Sequence, residues 1–353
     1  MRLQDPLIVG GGPAGSAAAI MLTRGGVRPL IVEKQRAMGD ALCGGFLSWH
    51  TLRNLERLGV DLAALGGHPI GSVRVFARAH QATASLPAKA VGLSRRKLDT
   101  VMLSCARDSG AGLEIAQMRH ADERQAETLF LATGKYDLRG LARPRPAVTD
   151  PALGLRIRLA AHPRLHALLD GAIELHLFDR GYAGLLLQED GTANLCLAVR
   201  KSRLAEAGGQ PAALLAALAS ECPALVERMA FVETLPAADA IAAVPYGWRA
   251  ADTTPGVFRL GDQAAVIPSL AGEGIGMAIA SGMAAAAAWQ AGGADAAPAY
   301  QRDFYRQTRR PVTVARLLWE RGEQPFSAAL ATRALAIAPG MTRLLARATR
   351  IGY

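Results

Sequence analysis

Residues 7–33 run from a short apolar segment, Leu7-Ile8-Val9, through Gly10-x-Gly12-x-x-Gly15 to a second apolar segment that closes on Glu33. The order is strand, glycine turn, helix and strand with an acidic tip, and each part has a physical task in holding a dinucleotide. Gly10 permits the tight turn, Gly12 leaves no side chain in the path of a pyrophosphate, and Gly15 lets the helix pack closely on the strand. The helix N-terminus adds free N–H groups and a partial positive charge. Glu33 stands where a carboxylate accepts hydrogen bonds from a ribose. A glycine triplet alone is a weak signal; the apolar flanks and Glu33 in register make it specific. Gly10, Gly12, Ala14, Gly15, Glu33 and Lys34 are the expected cofactor contacts here.

A chain of 353 residues, half of them hydrophobic, buries a sizeable core in one large or two interleaved domains. Cys43, Cys105, Cys196 and Cys222 are scattered with no C-x-x-C pair, which argues against a disulfide framework or a zinc site and fits a reducing cytoplasm. His162 and His166 share a helix face but lack a third ligand, so no metal is expected. Met1-Arg2 before an apolar stretch has the look of a signal peptide, but the glycine spacing explains that stretch better. Residues 274–293 carry no charge over a membrane-spanning length, yet they are Gly, Ala and Ser rather than Leu and Phe. A helix buried against a cofactor is the expectation.

Beyond Glu33 comes Cys43-Gly44-Gly45, then helical spacing through Leu52, Leu55, Leu58 and Val60 that ends near Gly66-Gly67. Residues 70–92 alternate apolar and polar in two short runs, which predicts antiparallel strands outside the nucleotide-binding sheet. A helix from about Arg95 to Ser109 follows, then strands near 113–118 and 127–132, the latter ending at Thr133-Gly134. The block from Pro144 to Trp248 mixes strands at 153–160, 172–178, 182–188 and 193–199 with a helix at 210–228. Residues 257–262 resume the nucleotide fold.

The second cofactor signal spans Gly261 to Gly282. A strand ending in Gly261-Asp262 offers a carboxylate to a sugar or ribityl hydroxyl, while Gly272, Gly274 and Gly276 let backbone lie against a flat ring. The helix that starts there, with Ile275 in its first turn, aims its positive end at that ring. Such a dipole stabilises negative charge on a reduced flavin; a nicotinamide has no comparable need.

Gly10-x-Gly12-x-x-Gly15, the Arg95-x-x-Leu98-Asp99 helix start and the Gly261-Asp262 to Gly276 segment occur in the order seen in flavin monooxygenases of the para-hydroxybenzoate hydroxylase type, which this chain resembles over roughly residues 5–290. The run Cys43-Gly44-Gly45-Phe46-Leu47-Ser48, followed by Leu52, Leu55 and Leu58-Gly59, looks more specifically like the geranylgeranyl reductase branch. The resemblance implies one noncovalent FAD, with its ring at the boundary between two domains. It also implies that Arg95 contacts the phosphate or ribityl region, that Cys43, Gly44 and Gly45 lie at the ring, and that Thr133 and Gly134 lie by the cofactor. Hydroxylases of this type carry Asp-Gly after the strand that ends here in Thr133-Gly134-Lys135. That departure counts against direct, substrate-gated NADPH reduction, so the electron donor is left as NAD(P)H or another external reductant.

The expected fold is α/β: a Rossmann-type FAD-binding domain with a parallel sheet (1–69, 92–143 and 249–299), an inserted antiparallel sheet as substrate domain (70–91 and 144–248), and a basic helical C-terminal region (300–353). The expected function is an FAD-dependent biosynthetic oxidoreductase acting on a hydrophobic small molecule. Hydroxylation stands first, a geranylgeranyl reductase-like C=C reductase or desaturase next, and an electron-relay flavoprotein last. Cys43, Tyr182 and Tyr246 are the candidate catalytic residues, the tyrosines as proton donors in pocket strands.

Residues 300–353 hold ten arginines and no lysine against Asp303, Glu320 and Glu323, a net +7 of the chain's +10. No reader motif or stacking aromatic patch accompanies the charge, which excludes nucleic acid as the expected partner. Arg343, Arg347 and Arg350 recur at helical spacing beside Leu344, Leu345 and Ile351. An acidic carrier protein or an anionic membrane surface is the expected partner, with the protein cytoplasmic and peripheral to the inner face of the membrane.

Overall fold

The computed structural model describes residues 6–124, 126–144, 148–232 and 234–351; Met1 and Arg2 lie outside the described residues. The strands are β1 (Leu7–Val9), β2 (Leu30–Glu33), β3 (Phe46–Leu47), β4 (His68–Ala77), β5 (His80–Gly92), β6 (Gly112–Ile115), β7 (Leu129–Leu131), β8 (Ala152–Leu159), β9 (Gly171–Phe178), β10 (Gly181–Leu187), β11 (Ala193–Arg200), β12 (Asp239–Ile241) and β13 (Val257–Arg259). Five form a parallel sheet in the order β13-β7-β1-β2-β6, and eight form a second sheet, β12-β8-β11-β10-β9-β4-β5-β3. The second sheet is antiparallel except where β4 runs parallel to β9, two strands brought together from separate stretches of chain.

The helices are α1 (Pro13–Arg24), α2 (Trp49–Arg57), α3 (Leu62–Leu65), α4 (Arg95–Asp108), α5 (Pro163–Leu169), α6 (Lys201–Glu206), α7 (Pro211–Ala217), α8 (Pro223–Met229), α9 (Gly274–Gly292), α10 (Ala297–Gly322), α11 (Pro325–Ile337) and α12 (Met341–Ala348). The single helix expected over 210–228 is instead α7, one tight turn, and α8. Pro223 has no N–H to continue a helix and takes the first position of a new one.

α1 and α9 pack backbone to backbone, because a Cβ on Gly282 would stand 2.2 Å from the Ala14 carbonyl oxygen. The uncharged stretch 274–292 is therefore core from Ile275 to Ala286, with its last turn exposed. Among the described residues no helix is long and apolar enough to cross a membrane. Under the parallel sheet, Phe130 of β7 and Phe258 of β13 stack at 4.8 Å and are fully buried. At the start of α4, Ser94 accepts the Lys97 N–H as an N-cap, and Glu189 from the β10–β11 turn accepts in turn from Ser94. That contact ties the second sheet to the first.

Candidate functional site

The three glycines after β1 differ in what they do. A Cβ on Gly10, whose φ is +106°, would lie 2.4 Å from the Ala132 carbonyl oxygen, and one on Gly15 would lie 1.9 Å from that of Gly10. Those two are required by the backbone itself. A Cβ on Gly12 would meet nothing closer than Arg95 Nη2 at 3.6 Å, so this glycine leaves free space. No side chain caps the start of α1, and its first N–H groups face that space. Ala14 is buried in the same turn. Glu33 is fixed at the tip of β2 by the N–H groups of Gly11 (2.8 Å) and Gln35 (2.9 Å). Lys34 is exposed, its Nζ 3.8 Å from the centre of the exposed Tyr136 ring.

Arg95 reaches this turn from the first turn of α4 and is held by Asp99 through two bonds of 2.8 and 2.7 Å. Burial works against the Arg95 charge, but the Asp99 carboxylate outweighs it and keeps the guanidinium above its ordinary range. Asp262 and Cys43 also lie near enough to favour that charge. Asp262 follows β13 in a tight turn and is half-buried; among the described residues its carboxylate has no recorded hydrogen bond or ion pair. Its backbone oxygen is held by the buried Arg143, which also bonds Asp137 and the Lys135 carbonyl. Gln263 donates to the Gly134 carbonyl, which brings the Thr133-Gly134 turn beside Asp262.

α9 begins without a side-chain cap, so the N–H groups of Gly274, Ile275 and Gly276 are free donors. A Cβ on Gly274 would meet nothing within 4 Å, whereas Gly276 packs against Glu273 and Thr51, and Gly272, at φ +61°, packs against the Phe46 ring. Gly261 also has positive φ and donates its N–H to Ser281 in α9. These features fit FAD: two uncapped helix starts, open glycines at Gly12 and Gly274, an arginine at the phosphate turn and an unengaged carboxylate between them.

The segment carrying Cys43-Gly44-Gly45 is held by its backbone. Five consecutive carbonyls are taken: Ala41 by Arg156 (2.9 Å), Leu42 by Lys135 (2.9 Å), Cys43 and Gly44 by Asn194 (3.0 and 2.8 Å), and Gly45 by the Leu93 N–H (2.8 Å). The Gly45 N–H donates to Cys43 Sγ at 3.5 Å. Arg156 and Asn194 belong to adjacent strands β8 and β11 and face the same way as Cys196, the partner of Arg156 in register. Cys196 is pushed up to about 12, by burial first and by Cys43 second, and is therefore a neutral thiol.

Tyr182 and Tyr246 meet at Ser269. The Tyr182 hydroxyl donates to Ser269 Oγ at 2.6 Å, and the Tyr246 hydroxyl lies 2.8 Å from the same atom. Burial raises both phenols above their ordinary value, so both stay protonated near neutrality. Around them Val75, Ala77, Leu177 and Ala198 of the second sheet pack with Trp319 of α10 and Ala328 of α11. The cluster thus sets three hydroxyls against an apolar wall, with Tyr182 buried, Tyr246 half-buried and Ser269, three residues before Gly272, exposed.

Sequence reasoning placed both tyrosines in pocket strands; Tyr246 instead lies in the connection after β12. It did not find Ser269, Asn194, Arg156 or Glu273, whose roles rest on contacts far apart in the chain. His162 stacks on Phe231, and His166 lies edge-on to His68 at 5.4 Å. Among the described residues, His68, His166 and Asp170 on the surface are the one group with three ligand-type atoms within 4.8 Å of each other.

Residues 4–129 match the family described as FAD binding domain. The chain is 26% identical to a menaquinone reductase of Mycolicibacterium smegmatis over 348 residues, 89% of this chain and 83% of that protein. A flavin-dependent brominase superposes with a TM-score of 0.75 at 16% identity, covering 97% of this chain and 92% of its own. A geranylgeranyl bacteriochlorophyll reductase-like protein from Thermoplasma acidophilum superposes at 0.63 and 18% identity, covering 98% and 92%. These two likenesses are of fold.

Proposed function

From the premise that this chain is a flavoenzyme carrying the FAD-binding domain of the para-hydroxybenzoate hydroxylase-like superfamily, we propose that it reduces a carbon–carbon double bond in a hydrophobic small molecule. The observation that carries the reading is the Tyr182–Ser269–Tyr246 cluster, neutral proton donors set in an apolar wall beside the start of α9. The similarity to a menaquinone reductase supports reductive chemistry on an apolar substrate.

FAD, when bound, supplies the hydride; the protein supplies position, a dry wall and a proton. The turn at Gly12, with Arg95 beside it, would hold the phosphates, and Glu33 and Asp262 would accept from sugar and ribityl hydroxyls. The uncapped N-terminal end of α9 would favour negative charge on a ring bound there. Tyr182 or Tyr246 would hold the proton to be delivered to substrate carbon, and Ser269, bonded to both hydroxyls, would let the two phenols share it. One hydride and one proton saturate one double bond. The reducing equivalents would come from an external donor, NAD(P)H or another reductant. Four free cysteines fit a cytoplasmic setting.

Hydroxylation is the second reading, and the observation favouring it is the same apolar lining, since an oxygenating flavoenzyme also excludes water. The test uses FAD-loaded enzyme, reduced without oxygen and mixed with a polyprenylated quinone. Gain of two carbon-bound hydrogens per turnover at the two ends of one former double bond, as distinct from reduction of the quinone to its quinol, supports the reading. A product that forms only with oxygen and contains one of its atoms overturns it, as does reduction of a protein acceptor with no change in the small molecule.

A further inference from the structure

The outer face of α11 and α12 is apolar where a soluble helix is polar. Of the ten large hydrophobic residues exposed among the described residues, six fall between Leu317 and Leu344. Phe326, Leu330 and Ile337 are 83%, 59% and 85% exposed. With Arg333 they follow the i, i+4, i+7, i+11 spacing of one stripe along α11, and beyond the break at Ala338 Met341 and Leu344 of α12 are exposed as well. Exposed apolar residues scattered singly need no explanation, but a contiguous stripe marks a binding face.

The charge around the stripe has one sign. Residues 324–351 contain four arginines and no acidic residue. Arg333, Arg343 and Arg347 are exposed and, among the described residues, have no recorded ion pair. Arg350 and Ile351, which the sequence placed on the same stripe, turn inward: Ile351 is buried in the main core and Arg350 pairs with Glu273. The basic face is therefore Arg333, Arg343 and Arg347.

The inner face of α11 packs on β4, β5 and β9, and its Ala328 and Leu335 belong to the apolar cluster that contains Tyr182. One helix thus separates the exposed stripe from the proposed reaction pocket. We propose that α11 and α12 dock on an anionic lipid bilayer, their apolar stripe entering the headgroup boundary while the three arginines meet lipid phosphates, so that a membrane-dissolved substrate enters beside α11. The choice of occupant rests on charge complementarity: a second copy would bring the same three uncompensated arginines against this face, and a neutral surface would leave them unmatched. The entry route rests on the reading of the pocket given above; the docking does not.

The test is sedimentation of the full-length, FAD-loaded protein with vesicles of phosphatidylcholine alone or mixed with phosphatidylglycerol, without substrate, at low and high salt. Binding to the mixed vesicles only, weakened by salt, is expected. The pair F326S/I337S and the triple variant R333A/R343A/R347A should each weaken it at least about tenfold, while FAD content and melting temperature stay at wild-type values because all five side chains are exposed. Absence of wild-type binding at low salt, or binding unchanged in both variants, overturns the proposal. So does a concentration-dependent dimer that F326S/I337S abolishes, or binding to an acidic acyl carrier protein but not to vesicles. Since no turnover is measured, failure here is distinct from failure of the proposed reaction.

Discussion

Arg350 places its Nε 2.9 Å from Oε2 of Glu273, the residue that precedes α9, with both side chains almost fully buried. The approach is a close ion contact without the alignment of an N–H···O bond, and the Ser48 hydroxyl donates to the same carboxylate oxygen at 2.9 Å. Arg350 Nη1 also donates to the Ala271 carbonyl at 3.0 Å. The C-terminal segment is thereby fastened to the turn that leads into the candidate ring site.

Burial pushes Glu273 up to about 7, against the opposing pull of Arg350 and Ser48, from an ordinary 4.5. A carboxyl raised in the folded state favours folding fully below its ordinary value and loses that contribution as pH rises through the folded value. The loss across this window is about 3 kcal/mol. Urea unfolding of wild type and Glu273→Gln at a series of pH values should show the wild type losing stability relative to the variant from 4.5 to about 7. Parallel curves would show that Glu273 does not titrate there.

The glycine turn predicts two different failures. Gly12→Val should fold and lose FAD, because its Cβ has room but its branches enter the open phosphate space. Gly10→Ala and Gly15→Ala should lose about 3 kcal/mol or more of stability through backbone collision. Melting temperature and bound-flavin absorbance measured together separate the cases.

Asp262→Ala should weaken FAD binding by about 1.5–3 kcal/mol, the range for a bond to a charged acceptor, with stability nearly unchanged. Glu33→Ala should weaken FAD similarly and also lower stability, since it orphans the Gly11 and Gln35 N–H groups. Titration of the apoprotein with FAD reads both; unchanged affinity in either variant contradicts that residue's role.

Tyr182→Phe and Tyr246→Phe should each retain FAD and lose turnover partially, because the other phenol still bonds Ser269. The double variant should lose on the order of 100-fold or more, as expected for a missing general acid. Cys43→Ala should keep its FAD and change rate or product. A double variant with wild-type turnover would leave the cluster structural.

The parts of this molecule legible in the sequence are those written in local patterns. Gly10, Gly12 and Gly15 flanked by apolar runs, and the alternation that gives β4 and β5, each encode their structure within a few residues. The helix expected over 210–228 failed because its apolar spacing continued past Pro223, whose missing donor decided the break. Ser269, Asn194 and Glu273 were illegible for another reason. A serine, an asparagine and a glutamate in loops and strands read as ordinary surface until the fold sets them against Tyr182, Cys43 and Arg350. The outer stripe of α11 lay between these extremes: its spacing was present, but only packing decides which side of a helix faces outward.

The backbone grip on residues 41–45 has a consequence for how this enzyme can change. Four of the five captured carbonyls are held by side chains of Arg156, Lys135 and Asn194, and all five acceptors belong to the main chain, which every amino acid possesses. Residues at 41, 42 and 43 can therefore be exchanged without releasing the segment, provided the three holders remain. Exposed Ala41 is the position where drift costs least, since Leu42 and Cys43 also pack against Gly154 and the main core; the frame is set by the three holders rather than by the side chains it carries.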